Sequence, residues 1–156
     1  MATIRGMDCE LFYNSGTYAS PTWSAVDAVE NANYEITWAE ISSNRRGNSG
    51  WETVEPGLRS ARLNVTFVKD KDDTAFNALL AAAQAEPPTA VELVAYDGAN
   101  ASGSDGLDAM WRPIQWREGQ EIDGVVKIEA VYAPVSDDDD IPNPIFISDA
   151  LPTSRP

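Results

Sequence analysis

Histidine is absent from this 156-residue chain, and cysteine occurs once, at position 9. The first absence removes the commonest general base and the commonest metal ligand. The second excludes an internal disulfide, and with it a small secreted scaffold stapled by bridges. With no histidine or second cysteine to share a metal, Cys9 is expected to be a small buried hydrophobe. Positive charge is scarce as well: 11 Lys and Arg stand against 25 Asp and Glu, a net charge of −14. That balance excludes nucleic-acid binding by phosphate neutralisation, which needs clustered bases, and argues against an anionic membrane surface. No apolar run approaches the roughly 20 residues that cross a bilayer. The first ten residues hold no apolar segment of the secretory kind, so folding in a cytoplasm is expected.

Catalytic signatures are missing too. No nucleophile elbow, phosphate loop or dinucleotide fingerprint occurs. Paired carboxylates could serve glycosidase-type chemistry, but among 25 acids chance pairs are unavoidable. The run from Asp70 to Phe76 fails as a calcium loop, because Ala75 stands where glycine is required and Ala81 where the bidentate Glu should be. Asp137 to Asp140 has no rigid frame on which to converge around an ion. An enzyme is not expected, and neither is a metal or a cofactor.

What is present is a globular composition, 43% hydrophobic with five Trp, in a length that suits one domain. Strand-like alternation dominates. Cys9–Tyr13, Ser24–Glu30, Tyr34–Ile41, Ala61–Val68, Ala90–Tyr96 and Gly124–Tyr132 all read as strands. Met110–Arg117 reads as an edge strand, since Pro113 cannot donate to a ladder, and Asp97 to Asp108 reads as a flexible loop. One helix is expected over about 73–85: an Asp caps it, Phe76, Leu79, Leu80 and Ala83 form one apolar stripe, and Pro87-Pro88 ends it. The fold class is therefore mainly β, an antiparallel sandwich or rolled barrel of about six to seven strands with one flanking helix.

Residues 1–133 are expected to form this β domain. Residues 134–156 change character, with five Pro, four consecutive Asp and no periodicity, and are expected to be an arm outside the core. Trp38 shares a face with Tyr34 and Ile36, so core burial is the reading preferred for it. Trp23, Trp51, Trp111 and Trp116 fall in loops or at an edge, where exposed aromatics mark protein interfaces. A β-sandwich module that binds glycan or protein is the alternative such aromatics leave open.

One stretch is uneconomical. Between the second and third main strands lie about nineteen mostly polar residues, Ser42 to Ser60, where a two-residue turn would serve. Long loops of this kind are uncommon in compact domains and usually functional. The segment contains Arg45, Arg46 and Arg59, three of only 11 basic residues, together with Trp51 and Glu52.

The order of elements resembles that of the tail tube proteins, or major tail proteins, of long-tailed bacteriophages and phage-tail-like particles. The resemblance runs over residues 6 to 133 and rests on a joint pattern of weak motifs. It opens with Gly6-Met-Asp-Cys-Glu-Leu-Phe-Tyr13 and continues with Trp23-x-x-Val26-x-x-Val29 and Ile41-Ser-Ser-Asn-Arg45. A polar loop ending in Pro56-Gly-Leu58 follows, then the helix Asp73-x-x-Phe76-x-x-Leu79, then the strand to Tyr96 with Asp-Gly after it. It implies rings, six subunits each, that stack into a tube whose channel conducts the genome into the host. It also implies that the long loop reaches the neighbouring ring, which explains its length.

On that reading Arg45, Arg46, Trp51, Glu52 and Arg59 are expected at the subunit interface, and Glu35, Thr37, Asn64 and Glu129 are expected to face an electronegative lumen, with Arg62 and Lys127 as positive exceptions. Partners would be further copies of the chain and other tail proteins such as the tape measure and terminator. DNA would pass through without specific binding, and no membrane is involved. The implied location is the virion tail, assembled in the host cytoplasm.

Overall fold

The computed structural model describes residues 3, 6, 9–42, 47, 50–98, 101–122, 124–135 and 144–155. Among these, eight strands and one helix occur: β1 Glu10–Asn14, β2 Trp23–Ala25, β3 Val29–Ser42, β4 Val54–Val68, α1 Thr74–Gln84, β5 Val91–Tyr96, β6 Gly106–Gly119, β7 Lys127–Pro134 and β8 Ile145–Ile147. The strands form a single antiparallel sheet in the order β2-β1-β5-β6-β7-β4-β3, with β8 added beside β6. The sheet curls without closing. The fold is thus the mainly β architecture the alternation indicates, with the three-residue strand β8 added to the expected count and the expected Ser24–Glu30 strand reduced to the short β2 and the start of β3.

The core lies on one face of the sheet. Leu63, Val65 and Phe67 of β4 alternate inward and stand opposite Tyr132, Ala130 and Ile128 of β7, while Leu93 and Val91 of β5 stand opposite Ala109 and Trp111 of β6. Helix α1 covers them with Ala75, Phe76 and Leu79, and the Phe76 ring sits 5.5 Å from that of Phe67. The Asp73 side chain accepts from the Ala75 and Phe76 amides, which satisfies two orphan donors of the first turn. Its other oxygen accepts from the Ala28 amide at 2.9 Å, tying the helix start to the turn that precedes β3.

Several expectations need correction. Cys9 is exposed, because it precedes the first paired residue of β1 and has no sheet above it. Trp111 is buried, 1% exposed, and its indole N–H donates to the Leu93 carbonyl at 3.0 Å. Trp116 packs against Phe67. The edge reading of Met110–Arg117 holds for most of its length: β5 pairs with β6 only as far as Trp111, so among the described residues Pro113 stands on a stretch with β7 alone as ladder partner, beside a register shift to Gln115. The loop after β5 is shorter than it reads, since Gly106–Asp108 pair with β5 and β8. Trp38 is 52% exposed, because the part of β3 that carries it runs beyond the core.

The outer face of the β1-β5-β6 half is covered by residues 144–155. Leu151 is buried there with Phe12, Val94 and Tyr96, and Trp23 and Ile147 pack at the margin. Trp23 donates its indole N–H to the Pro152 carbonyl at 2.8 Å, and the Tyr96 hydroxyl donates to the Asp149 carbonyl at 2.6 Å.

Candidate functional site

Among the described residues two surfaces are left without a covering, one on the β3–β4 pair and one on a wider group of strands that includes it. β4 has β7 beside it only from Leu63 to Val68. From Arg62 back to Val54 its sole ladder partner among the described residues is β3, so the two strands leave the sheet as a ribbon about 30 Å long at ~3.3 Å per residue. The stretch read from sequence as a polar loop is thus strand in part, at Ser42 and from Val54 to Ser60: Ser42 pairs with Val54, Ile41 with Glu55 and Trp38 with Arg59. The Thr37 and Ser60 hydroxyls bridge the ribbon at 2.7 Å. Gly57 sits where the register slips between Trp38 and Glu40. A Cβ there would come within 3.0 Å of the Ile41 side chain and 3.1 Å of the Ala39 carbonyl.

A two-stranded ribbon with water on both faces is marginal on its own. This one also carries large apolar side chains into solvent: Tyr34, Trp38, Ile41, Val54 and, most exposed, Leu58 at 87%. Trp51, in the connection between the strands, is 78% exposed. Glu52, next to it in the chain, and Arg59, opposite Trp38 in the ribbon, are exposed as well. Arg45 and Arg46 lie outside the described residues. An apolar cluster of this size on a ribbon with no core of its own is the signature of a protein interface.

The second surface is the polar face of β3, β4, β7 and the distal end of β6. Direct pairing fixes its membership. Glu35 stands opposite Arg62, Thr37 opposite Ser60, Asn64 opposite Val131, Glu129 opposite Thr66 on one side and Arg117 on the other. Glu35, Thr37 and Glu129 are exposed and Asn64 is half-buried, none of them in the core. Lys127 reaches across β4 to Glu30 at 3.0 Å. In this strip Glu30, Glu35 and Glu129 meet Arg62, Arg117 and Lys127, so the strands themselves are near charge balance. The acid surplus of the chain is carried by residues outside these three pairs.

The same four strands also end in open edges. β3 is the last strand of the sheet, and β6 beyond Trp111 has only β7 as a ladder partner. A long unpaired edge is a template for pairing with another chain.

Sequence reasoning passed over a third feature. Glu92 and Asp108 are buried beneath the C-terminal segment, with Arg155 seated between them. A carboxylate inside the apolar run Ala90-Val-Glu-Leu-Val-Ala-Tyr96 was the available signal. Among the described residues, no group of three or more His, Cys, Asp or Glu side chains is placed to hold a metal, and no helix is long and apolar enough to cross a membrane.

No protein-family model matches the sequence, and no curated protein does. Solved structures match over nearly the whole chain. The SPP1 tail tube superposes with a TM-score of 0.72 at 13% identity, covering 95% of this chain and 81% of that one. A chain from the virion of a native gene transfer agent particle gives 0.67 at 12% identity, covering 92% and 98%. A chain from the sheath/tube terminator of an extracellular contractile injection system, PVC, in its extended state gives 0.65 at 8% identity, covering 95% and 99%. The fold of this chain is the tail-tube fold, as the element order indicates.

Proposed function

We propose that this chain is the repeating structural subunit of a tail tube and that it has no enzymatic role. The observation that carries the reading is the β3–β4 ribbon, which extends about 30 Å from the sheet and displays Trp38, Trp51 and Leu58 to water. A monomer gains nothing from such a ribbon. A neighbouring copy would bury it.

Six copies form a ring in this reading. The β3 edge of one copy pairs with the open distal edge of β6 in the next, so that the four-stranded pieces join into a continuous barrel. Its inner wall is the polar face bearing Glu35, Thr37, Asn64 and Glu129, and the helix lies outside. Rings stack through the ribbon, where Trp51 is the anchor, Arg45, Arg46 and Arg59 meet acids of the adjacent ring, and Glu52 lies in the same contact. Buried aromatic and Arg side chains are the commonest strong contributors to such interfaces. The channel conducts the genome without binding it. Its strand wall is hydroxyl-rich and charge-balanced, and the −14 charge of each copy disfavours retention of a polyanion. The subunit acts in the virion tail after assembly in the host cytoplasm, with the tape measure and terminator proteins as further partners.

Sedimentation velocity over a range of concentrations tests the reading. A tube subunit yields ring-sized and then very large species as concentration rises. A binding module for glycan or protein stays monomeric throughout, and that result would exclude a tube.

A further inference from the structure

The outer face of the β5–β6 pair contains a buried cation site that assembly does not explain. Glu92 on β5 and Asp108 on β6 are 4% and 5% exposed. The Arg155 guanidinium fits them as a fork: Nη2 donates to Glu92 Oε1 at 2.6 Å and to Asp108 Oδ2 at 2.9 Å, and Nη1 donates to Glu92 Oε2 at 3.1 Å. Nη1 also reaches the Tyr18 carbonyl at 3.2 Å. The planar group lies 4.2 Å from the centre of the Tyr18 ring and 5.6 Å from that of Trp23, so two aromatic walls complete the site.

The receptor half of this arrangement is built without Arg155. Asn14 donates to Glu92 Oε2 at 2.8 Å, which holds that carboxylate in place. The Asn14 side-chain Oδ1 accepts from the amides of Gly16 and Thr22 and thereby shapes the loop that carries Tyr18. Gly16 is required there, since a Cβ would come within 2.5 Å of the Ser20 carbonyl. Asp108 Oδ1 is buried without a hydrogen-bond donor. Without Arg155, two carboxylates would share an apolar pocket, which is costly unless a cation or a proton joins them.

We propose that Glu92, Asp108 and Asn14, walled by Tyr18 and Trp23, form a guanidinium-binding site that Arg155 fills in the same chain, making residues 144–155 a strap closed by a releasable latch. The required ligand is a monosubstituted guanidinium, the arginine side chain. A lysine ammonium has the charge but not the planar fork that engages both carboxylates and stacks on a ring. Release of the latch would uncover Phe12, Val94 and Tyr96, which Leu151 now covers.

Arg155→Ala in the full chain empties the site, and N-acetylarginine amide can then be offered in solution. At about ten times its dissociation constant it is expected to raise the variant's melting temperature by about 3–6 °C, to leave the wild-type value unchanged, and to act more strongly than N-acetyllysine amide. A folded variant that ignores the arginine compound, or responds equally to both, would overturn the proposal. Should Arg155→Ala not fold, the wild-type chain decides: phenylglyoxal should modify Arg155 at least about tenfold more slowly than the exposed Arg59 and Arg117, since the latched group is shielded from reagent. Equal rates would show that no latch is closed.

Discussion

Asp108 lies beneath the strap with Glu92 and Arg155 against it and Tyr96 close by. Burial first, then the Glu92 charge and the hydrogen bond the two carboxyls share, push its pKa up from 3.8 to about 8, while Arg155 pulls it down. The folded chain therefore keeps a proton that the unfolded chain gives up near 3.8. Stability from this group is full below that pH, declines as pH rises toward about 8, and is level above it. Urea unfolding measured from pH 4 to pH 9 should show the decline, and Asp108→Asn, which holds a neutral amide in place, should flatten it. A profile identical in the two proteins would mean that Asp108 is ionised throughout. Little of this was legible in the sequence. Glu92 sits within an apolar strand, a recognisable oddity, but Asp108 reads as loop and Arg155 as tail, and only the docked strap brings the three together.

At the scale of elements, legibility followed the local rules. The helix was plain because an Asp cap, an apolar stripe and a Pro-Pro stop agree, and β5 was plain because its apolar run is bounded by turn residues. Only half of the β3–β4 ribbon was: Tyr34–Ile41 alternate and read as strand, whereas Val54–Ser60 carry no hydrophobic pattern, since no core lies under them, and read as loop. Trp38 was misjudged for the same reason, sharing a face with core residues yet lying past the core's end. Pro113 was a sound edge signal, since β5 pairing stops at Trp111 and leaves the stretch that carries it with β7 alone among the described residues. Asp73→Ala removes both capping bonds and the bond to the Ala28 amide. It should cost about 1–2 kcal/mol in chemical denaturation, and a loss of only a few tenths would show that water replaces the cap. The ribbon permits a cleaner test. Trp38 and Arg59 are ladder partners, so replacing residues 39–58 by Asn-Gly leaves a hairpin with a two-residue turn. Circular dichroism should report a melting temperature within about 3 °C of wild type, because the core is untouched, while light scattering should show no polymer growth. Normal growth would show that rings do not join through the ribbon.

For the whole molecule, one sheet performs two tasks on two faces. The inner face and α1 supply the stability of the subunit, whereas the open edges and the ribbon lie outside that core and are the surfaces the proposed assembly would use. The strap seals the outer face of β1, β5 and β6, so the surfaces left for assembly are the β3–β4 side and the far end of β6. The account's central claim is that copies join edge to edge with the polar face inward. Cryo-electron microscopy of the purified, polymerised chain tests it most directly. The account predicts a hollow tube of stacked six-membered rings, with Glu35, Thr37, Asn64 and Glu129 on the channel wall, α1 outside and Trp51 buried against the adjacent ring. A tube with the helix facing the channel, or particles that never exceed a single closed oligomer with the ribbon free in solvent, would contradict it.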